Sequence, residues 1–206
     1  MIDSTTNSRF SNKQLIVIYT IISLVSLLVI WELAARFTGA SMFLPPASEV
    51  LAAFFRSFVE PIGKRTMLAH VGVSLYRVAV AFFFATIAGI ALGVGMGYSK
   101  TFEAIFKPIF EFIRPIPPLA WIPLSILWFG LGDTGKFFII FLGCFCFITV
   151  NTYVGAKNVD PELIGAARML GANERQVFFE IVLPSSVPYI FAGLQIAVTA
   201  GWSAVV

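Results

Sequence analysis

Gly130-Leu131-Gly132-Asp133-Thr134-Gly135-Lys136 is the one run whose residue types and spacing could cradle a phosphate. It satisfies the GxxxxGK part of a phosphate-binding loop, but Phe137 stands where a serine or threonine must reach the magnesium ion. No soluble strand precedes it and an apolar segment follows at once, so it reads as a glycine turn between spans. His70 is the single histidine, too few for a histidine metal cage. Cys144 and Cys146 are two apart on one apolar run; on a helix they point in different directions and cannot pair with each other. No nucleophile has a base placed for it. The chain therefore reads as neither an enzyme in its own right nor a binder of ATP, metal or cofactor. What remains is the chemistry of recognition.

Three groups of residues can carry it. The first is the polar stretch from Asp160 to Pro184. Asp160 is a good N-cap, Pro161 suits the first helical position, and a short helix is predicted to about Leu170. Gly171 stops it by taking the left-handed conformation. Asn173 then caps a second helix with Gln176 as its capping-box partner, and Pro184 bends or ends that helix. Gly165, Ala166 and Ala167 let another body approach closely, while Leu163, Met169 and Leu170 supply apolar contact area. The second group is Arg114-Pro115-Ile116-Pro117-Pro118-Leu119-Ala120-Trp121-Ile122-Pro123. With Pro108, these prolines forbid one straight helix. Freed carbonyls are tolerated in a membrane only inside protein or facing a water-filled cavity, so Pro115, Pro117, Pro118 and Pro123 are candidates for a gate and Arg114 for contact with an anion. The third is Gln195, Thr199 and Ser203, which fall on one helical face. Together with Asn151 they are candidates to line a pore.

The elements that must position these residues are membrane spans. Of 206 residues, 58% are hydrophobic and 12% charged, where a soluble domain carries about 25% charged residues. The fold class is all-α, a polytopic helical membrane protein. The net charge of +3 comes without a basic run or stripe, which excludes a nucleic-acid reading. Apolar runs of spanning length cover residues 15–35, 73–98, 102–128, 137–154 and 185–206. The first is too long for a signal-peptide core and is read as retained, with Trp31 at an interface and Glu32 and Arg36 paired at i,i+4. Pro45 and Pro46 break the chain before an amphipathic helix from Ser48 to Phe58, too short to span and suited to the membrane surface. Arg77 can snorkel outward from the second span. Gly89, Gly93 and Gly97 repeat every four residues and form a helix-packing face, toward this chain or a partner. The expected divisions are residues 1–40, cytoplasmic N-terminus and first span; 41–72, external loop with the amphipathic helix; and 73–206, the transmembrane core.

The Ala166-Ala167, Gly171 and Leu183-Pro184 spacing resembles the "EAA loop" of ABC importer permeases. The proline-rich span with Trp128-Phe129-Gly130-Leu131-Gly132 resembles permeases for nitrate, sulfonates and taurine; Leu44-Pro45-Pro46 fits the same family. The resemblance covers roughly residues 44–206 and departs at Gly165, where many members carry glutamate. It implies that Glu162, Gly165, Ala166, Ala167, Arg168, Met169, Leu170, Gly171 and Ala172 form a cytoplasmic coupling helix that docks on an ATPase subunit. It further implies a homodimeric pore in the inner or plasma membrane, ATP bound only by the partner ATPase, an external substrate-binding protein and alternating access. An interior coupling loop after five spans places the N-terminus in the cytoplasm, with Arg9, Lys13, Lys100, Lys107, Lys157, Arg168 and Arg175 inside. Arg36, Arg56, Lys64, Arg65 and Lys136 then fall outside. Members usually have one further span, so a fragment or truncated form lacking it is expected. A different cargo, such as a pyrimidine precursor or an aromatic acid, stays open. An ion-coupled secondary transporter would call for mid-membrane ionisable groups and an internal repeat, and neither is evident.

Overall fold

The computed structural model describes residues 12–37, 44–61, 63 and 65–205. Arg9, Lys64 and Val206 lie outside them. The helices are α1 (Asn12–Phe37), α2 (Ala47–Ser57), α3 (Met67–Tyr98), α4 (Lys100–Ile113), α5 (Ile122–Phe129), α6 (Asp133–Lys157), α7 (Pro161–Met169), α8 (Glu174–Gln176) and α9 (Leu183–Ser203). A 3₁₀ turn, Pro118–Trp121, precedes α5, and a π turn, Val177–Val182, joins α8 to α9. Among the described residues four helical segments are long and apolar enough to cross a membrane, and a fifth span results if the bent pair Lys100–Ile113 and Pro118–Phe129 counts as one. The chain divides into two compact units at His70 and Val71.

In the first unit, α1 leaves its apolar side chains exposed, as a lipid-facing helix does. Its hydroxyls turn to their own backbone: Thr20 Oγ1 donates to the Ile16 carbonyl and Ser26 Oγ to that of Ser23, both at 2.9 Å. Such self-satisfaction is required where no water is at hand. Glu32 pairs with Arg36 at 2.7 Å. The same carboxylate also accepts from Ser48, from its backbone N–H at 3.0 Å and its hydroxyl at 2.9 Å. Pro46, at the N-cap of α2, has no side-chain cap to offer. Glu32 therefore satisfies an orphan N–H of α2 from 16 residues away, and an anion at a helix N-terminus is favoured by the macrodipole. Ala35 and Ala47 are buried, whereas Leu51, Phe54, Phe55 and Phe58 keep the apolar face of α2 exposed.

The second unit is built around α6. Gly89, Gly93 and Gly97 of α3 all pack on this helix of the same chain. A Cβ on Gly89 would meet Ile148 Cγ2 at 2.9 Å, and one on Gly93 would meet Thr152 Cβ at 2.7 Å; Gly97 lies against Ala156. On another side α9 presents Gly193, Ala197 and Gly201, which contact Asn151, Ile148 and Cys144. Gly135 does the same toward Ser125 of α5. Small residues bring backbones together where lipid gives no hydrophobic drive between helices. The enclosed core is Ala81, Ala85, Ile140, Cys144, Ile148 and Ala197. Cys144 and Cys146 are unpaired thiols.

Several expectations are corrected. Pro108 does not break the third segment; α4 runs through it. Its missing N–H frees only the Ala104 carbonyl, and Ala104 and Pro108 both lie on the exposed face. Pro123 lies in the first turn of α5, where a missing N–H costs no helical bond. Pro184 neither ends nor sharply bends its helix, since Glu174–Ser203 forms one spanning segment and not one that opens at Ser185. Proline offers the Glu180 carbonyl no donor and crowds it, and the wider π turn accommodates the mismatch. α6 begins at Asp133, so Gly135 and Lys136 are helical and the turn is Gly130–Gly132, with Gly130 at φ 72°. Arg77 does not snorkel. Its guanidinium bonds Asp133 Oδ1 at 2.6 Å with only 17% of the side chain exposed.

Candidate coupling helix and substrate path

Local sequence builds α7 almost completely. Asp160 Oδ1 accepts from the Glu162 N–H at 2.9 Å and Pro161 occupies the first turn. At the other end Gly171 has φ +87°. The Ala172 N–H reaches the Ala167 carbonyl and the Gly171 N–H reaches that of Arg168, both at 3.0 Å. This is a Schellman motif, and its apolar contact is Ala167 with Ala172. Asn173 and Gln176 then exchange both bonds of a capping box at 2.9 Å.

The two ends orient one face inward. Ile164, Ala167 and Ala172 pack on the cluster of Val94, Ala156, Val159, Val177 and Val182. Ala167 and Ala172, expected at a partner, hold α7 to its own chain. Outward face Glu162, Leu163, Ala166 and, at the tip, Met169 and Leu170, which are 92% and 90% exposed. Gly165 and Gly171 have nothing within 4 Å of a built Cβ, so the outer surface has room beside them. Arg168 does not project freely: it bonds Glu174 at 2.9 Å. Glu174 also accepts from the Tyr98 hydroxyl at the end of α3, and the Tyr98 ring meets Phe178 edge-on at 5.3 Å. A second polar knot lies at the start of α4, where Glu103 binds Lys107, Lys157 and the Tyr153 hydroxyl. Neither knot was found from sequence. The Glu103–Lys107 and Arg168–Glu174 pairs are local, four and six residues apart, but the bonds that tie each knot across helices join residues 46 to 76 apart, which no local pattern marks.

The path residues do not converge on one place. The chain turns by 85° between α4 and the Pro118–Phe129 segment. A pocket of ≈ 240 Å³ occupies the bend, lined by Arg114, Pro115, Pro117 and Pro118 on one side and Gly143 and Cys146 of α6 on the other. Gln195, Thr199 and Ser203 lie on the exposed face of α9, opposite the packed Gly193–Ala197–Gly201 face. Ser203 Oγ donates to the Thr199 carbonyl at 3.0 Å, and Thr199 Oγ1 makes a longer contact of 3.5 Å to that of Gln195. Asn151 is elsewhere: it packs against Gly193 and its Nδ2 donates to the Phe147 carbonyl at 2.8 Å.

Residues 85–206 match the family described as binding-protein-dependent transport system inner membrane component. The chain belongs to this family. It is 39% identical over 184 residues to the taurine transport system permease protein TauC of Escherichia coli, covering 88% of this chain and 66% of that protein. It is 34% identical over 195 residues to the nitrate import permease protein NrtB of Synechocystis, covering 92% of this chain and 70% of that protein. The chain spans about two thirds of the length of these curated relatives.

The inner-membrane-component match takes in α7, both polar knots, the bend and the α9 stripe. This is a multi-pass membrane transport family. Within it, Tyr98 and Glu174 supply a tie between the end of α3 and the segment that carries α7. The Arg168–Glu174 pair is exposed and contributes little, while the Tyr98 hydroxyl on a carboxylate is charge-assisted. Tyr98→Phe keeps the ring on Phe178 and removes only that bond. The expected result is a normally folded protein in which amide exchange across residues 160–176 is faster by about tenfold or more, the scale of one hydrogen bond to a charged group. Unchanged exchange would show that the bond does not hold this segment.

Proposed function

We propose that this chain is the membrane-spanning permease subunit of an ATP-driven ABC importer for a small oxyanion of the nitrate, sulfonate or taurine class. The observation that carries the reading is α7: a helix capped at both ends, held inward by two alanines and presenting an exposed Met169–Leu170 tip, inside the matched inner-membrane-component region. The relatives' names, a taurine permease and a nitrate permease, support the substrate class. On this reading two copies form the pore, α7 of each docks on a cytoplasmic ATPase subunit that binds the ATP, and an external binding protein delivers the solute. The N-terminus lies in the cytoplasm, α2 lies along the outer membrane surface, and the core begins near residue 73. Closure of the ATPase pair moves the two α7 helices, and the spans rock about α6. The test is reconstitution of the full-length permease with its ATPase and binding protein in liposomes. Uptake of taurine, an alkanesulfonate or nitrate should require ATP on the ATPase side. Uptake driven by a sodium or proton gradient without ATP would overturn the reading.

The α9 stripe gives a separate check on the path. With Cys144 and Cys146 replaced, cysteines at Gln195, Thr199 and Ser203 should react with small water-soluble thiol reagents at rates that change with ATP. Cysteine at Ala197, fully buried against α6, should stay unreactive. A stripe as silent as Ala197 in every state, or one that labels without response to ATP, would remove these three residues from the path.

A further inference from the structure

The pocket at the 85° bend has a chemical composition that the proposed oxyanion function does not by itself require. Arg114 is the one charged side chain in its lining. Ion pairs among the described residues engage Arg36, Arg77, Lys107, Lys157 and Arg168, and none engages Arg114. Glu111 and Lys107 share with Arg114 a smaller pocket of ≈ 100 Å³, but Lys107 is committed to Glu103 and Tyr153, and Glu111 makes no ion pair with Arg114. A guanidinium is always charged, is weakly hydrated, and presents a donor fork that matches two oxygens of one acid group.

The backbone around it offers no competing donors. Pro115, Pro117 and Pro118 have no N–H, and Arg114 itself has prolines at i+3 and i+4, so its carbonyl has no helical donor. Apart from the Cys146 thiol and the indole N–H of Trp121, the remaining walls are apolar: Ile113, Ile116, Leu142, Phe147 and Val150. Gly143 backs the pocket, and a Cβ there would meet Pro118 Cγ at 3.5 Å and the Ala200 carbonyl oxygen at 3.8 Å, both ordinary contact distances. One acid group fits the donor fork, and a short carbon body fits the walls. Nitrate would satisfy the fork and leave the walls uncovered.

We propose that the bend pocket is a binding site for a small organic sulfonate or carboxylate, its acid group on the Arg114 guanidinium and its carbon body against Trp121, Leu142 and Phe147. This deepens the importer reading and rests on it for the role of the site in transport, but binding itself needs no ATPase. The site would favour organic anions over inorganic ones at a waypoint inside the membrane.

The experiment uses the full-length permease in detergent, with Trp31, Trp128 and Trp202 changed to Phe so that, of the tryptophans in this chain, Trp121 remains to report. Titration with 1-propanesulfonate should quench or shift its fluorescence saturably, and sodium nitrate at equal ionic strength should bind at least ten times more weakly. Arg114→Gln should weaken propanesulfonate binding by tenfold or more, with Arg114→Lys in between. Gly143→Ala, which fits at ordinary contact distance, should keep binding near wild type. Equal affinity for nitrate, or full binding by Arg114→Gln, would overturn the proposal. So would saturation by phosphatidylglycerol with no response to soluble sulfonate, which would make the pocket a lipid site. ATP-driven uptake in liposomes is measured in parallel. Uptake with no binding at Trp121 sinks the site alone, and binding without ATP-driven uptake sinks the importer reading alone.

Discussion

Met169→Asp with Leu170→Asp should detach the ATPase and abolish ATP-driven uptake while the permease stays folded in the membrane. These are the most exposed large apolar side chains of α7, at 92% and 90%, so no core contact is lost when they are replaced. If a partner covers them, burying each contributes about 1.5–3 kcal/mol. At about 1.4 kcal/mol per tenfold, losing both weakens docking by roughly 10²- to 10⁴-fold. Two carboxylates in an apolar contact add a desolvation cost in the same direction. The α7 fold itself is insulated, because its caps are Asp160 and Gly171 and its inward anchors are Ala167 and Ala172.

Gly171→Arg should act at the same place by a different route. Its φ of +87° disfavours any side chain with a Cβ, at about 1–2 kcal/mol, so the Schellman turn that aims the tip is strained and a bulky cation stands beside it. Both variants are read by membrane content, ATPase co-purification and uptake. Wild-type ATPase recovery with the double aspartate variant would show that the tip is not the docking surface.

Gly93→Leu should have the largest effect on the fold. A Cβ at Gly93 would lie 2.7 Å from Thr152 Cβ and 2.8 Å from the Thr149 carbonyl oxygen. The second contact is backbone of α6 and cannot rotate away. α3 and α6 must separate, which opens the packing at Gly89 and Gly97 as well. Overpacking a tight site costs about 1–3 kcal/mol and at times more, and about 2–4 °C of Tm per kcal/mol is the scale for a chain of this size. The matched control is Gly72→Leu on the same helix, where nothing lies within 4 Å of a built Cβ. Thermal unfolding of the detergent-solubilised proteins should separate the two, with Gly93→Leu low in yield and melting point and Gly72→Leu near wild type. Equal melting points would mean that α3 does not rest on α6 through this glycine.

Helix packing takes one face of α9 and leaves the opposite face to the path proposed above. Gly193, Ala197 and Gly201 hold it to α6, and the polar stripe of Gln195, Thr199 and Ser203 is left outward. That division was legible in the spacing, because residues i, i+4 and i+8 share a helical face in any surroundings. Asn151 shows the limit of the same logic. It is polar and lies toward the end of its span, yet it packs against Gly193 and bonds its own backbone, so it does not join the stripe. The prolines divide in the same way. Those at 115, 117 and 118 fall at the bend, while Pro108, Pro123 and Pro188 are carried within helices or their first turns. Whether a proline breaks a helix depends on what else can accommodate the freed carbonyl, and that is a tertiary question.

What the sequence determined by itself is local and periodic. The α7 cap at Asp160, the Gly171 stop, the Asn173–Gln176 box, the glycine repeat of α3 and the apolar spans all follow from interactions within a few residues, or from helical periodicity. Their physics does not depend on where the rest of the chain lies. Only the tertiary structure decided which helix receives the glycine face, since several spans offer an apolar surface. It alone joined Arg77 to Asp133, 56 residues apart, Tyr98 to Glu174, 76 apart, and Glu32 to the start of α2. In each case a group set within or at the edge of an apolar span needed a partner. The one it found was set by the path of the helices, not by the residues beside it.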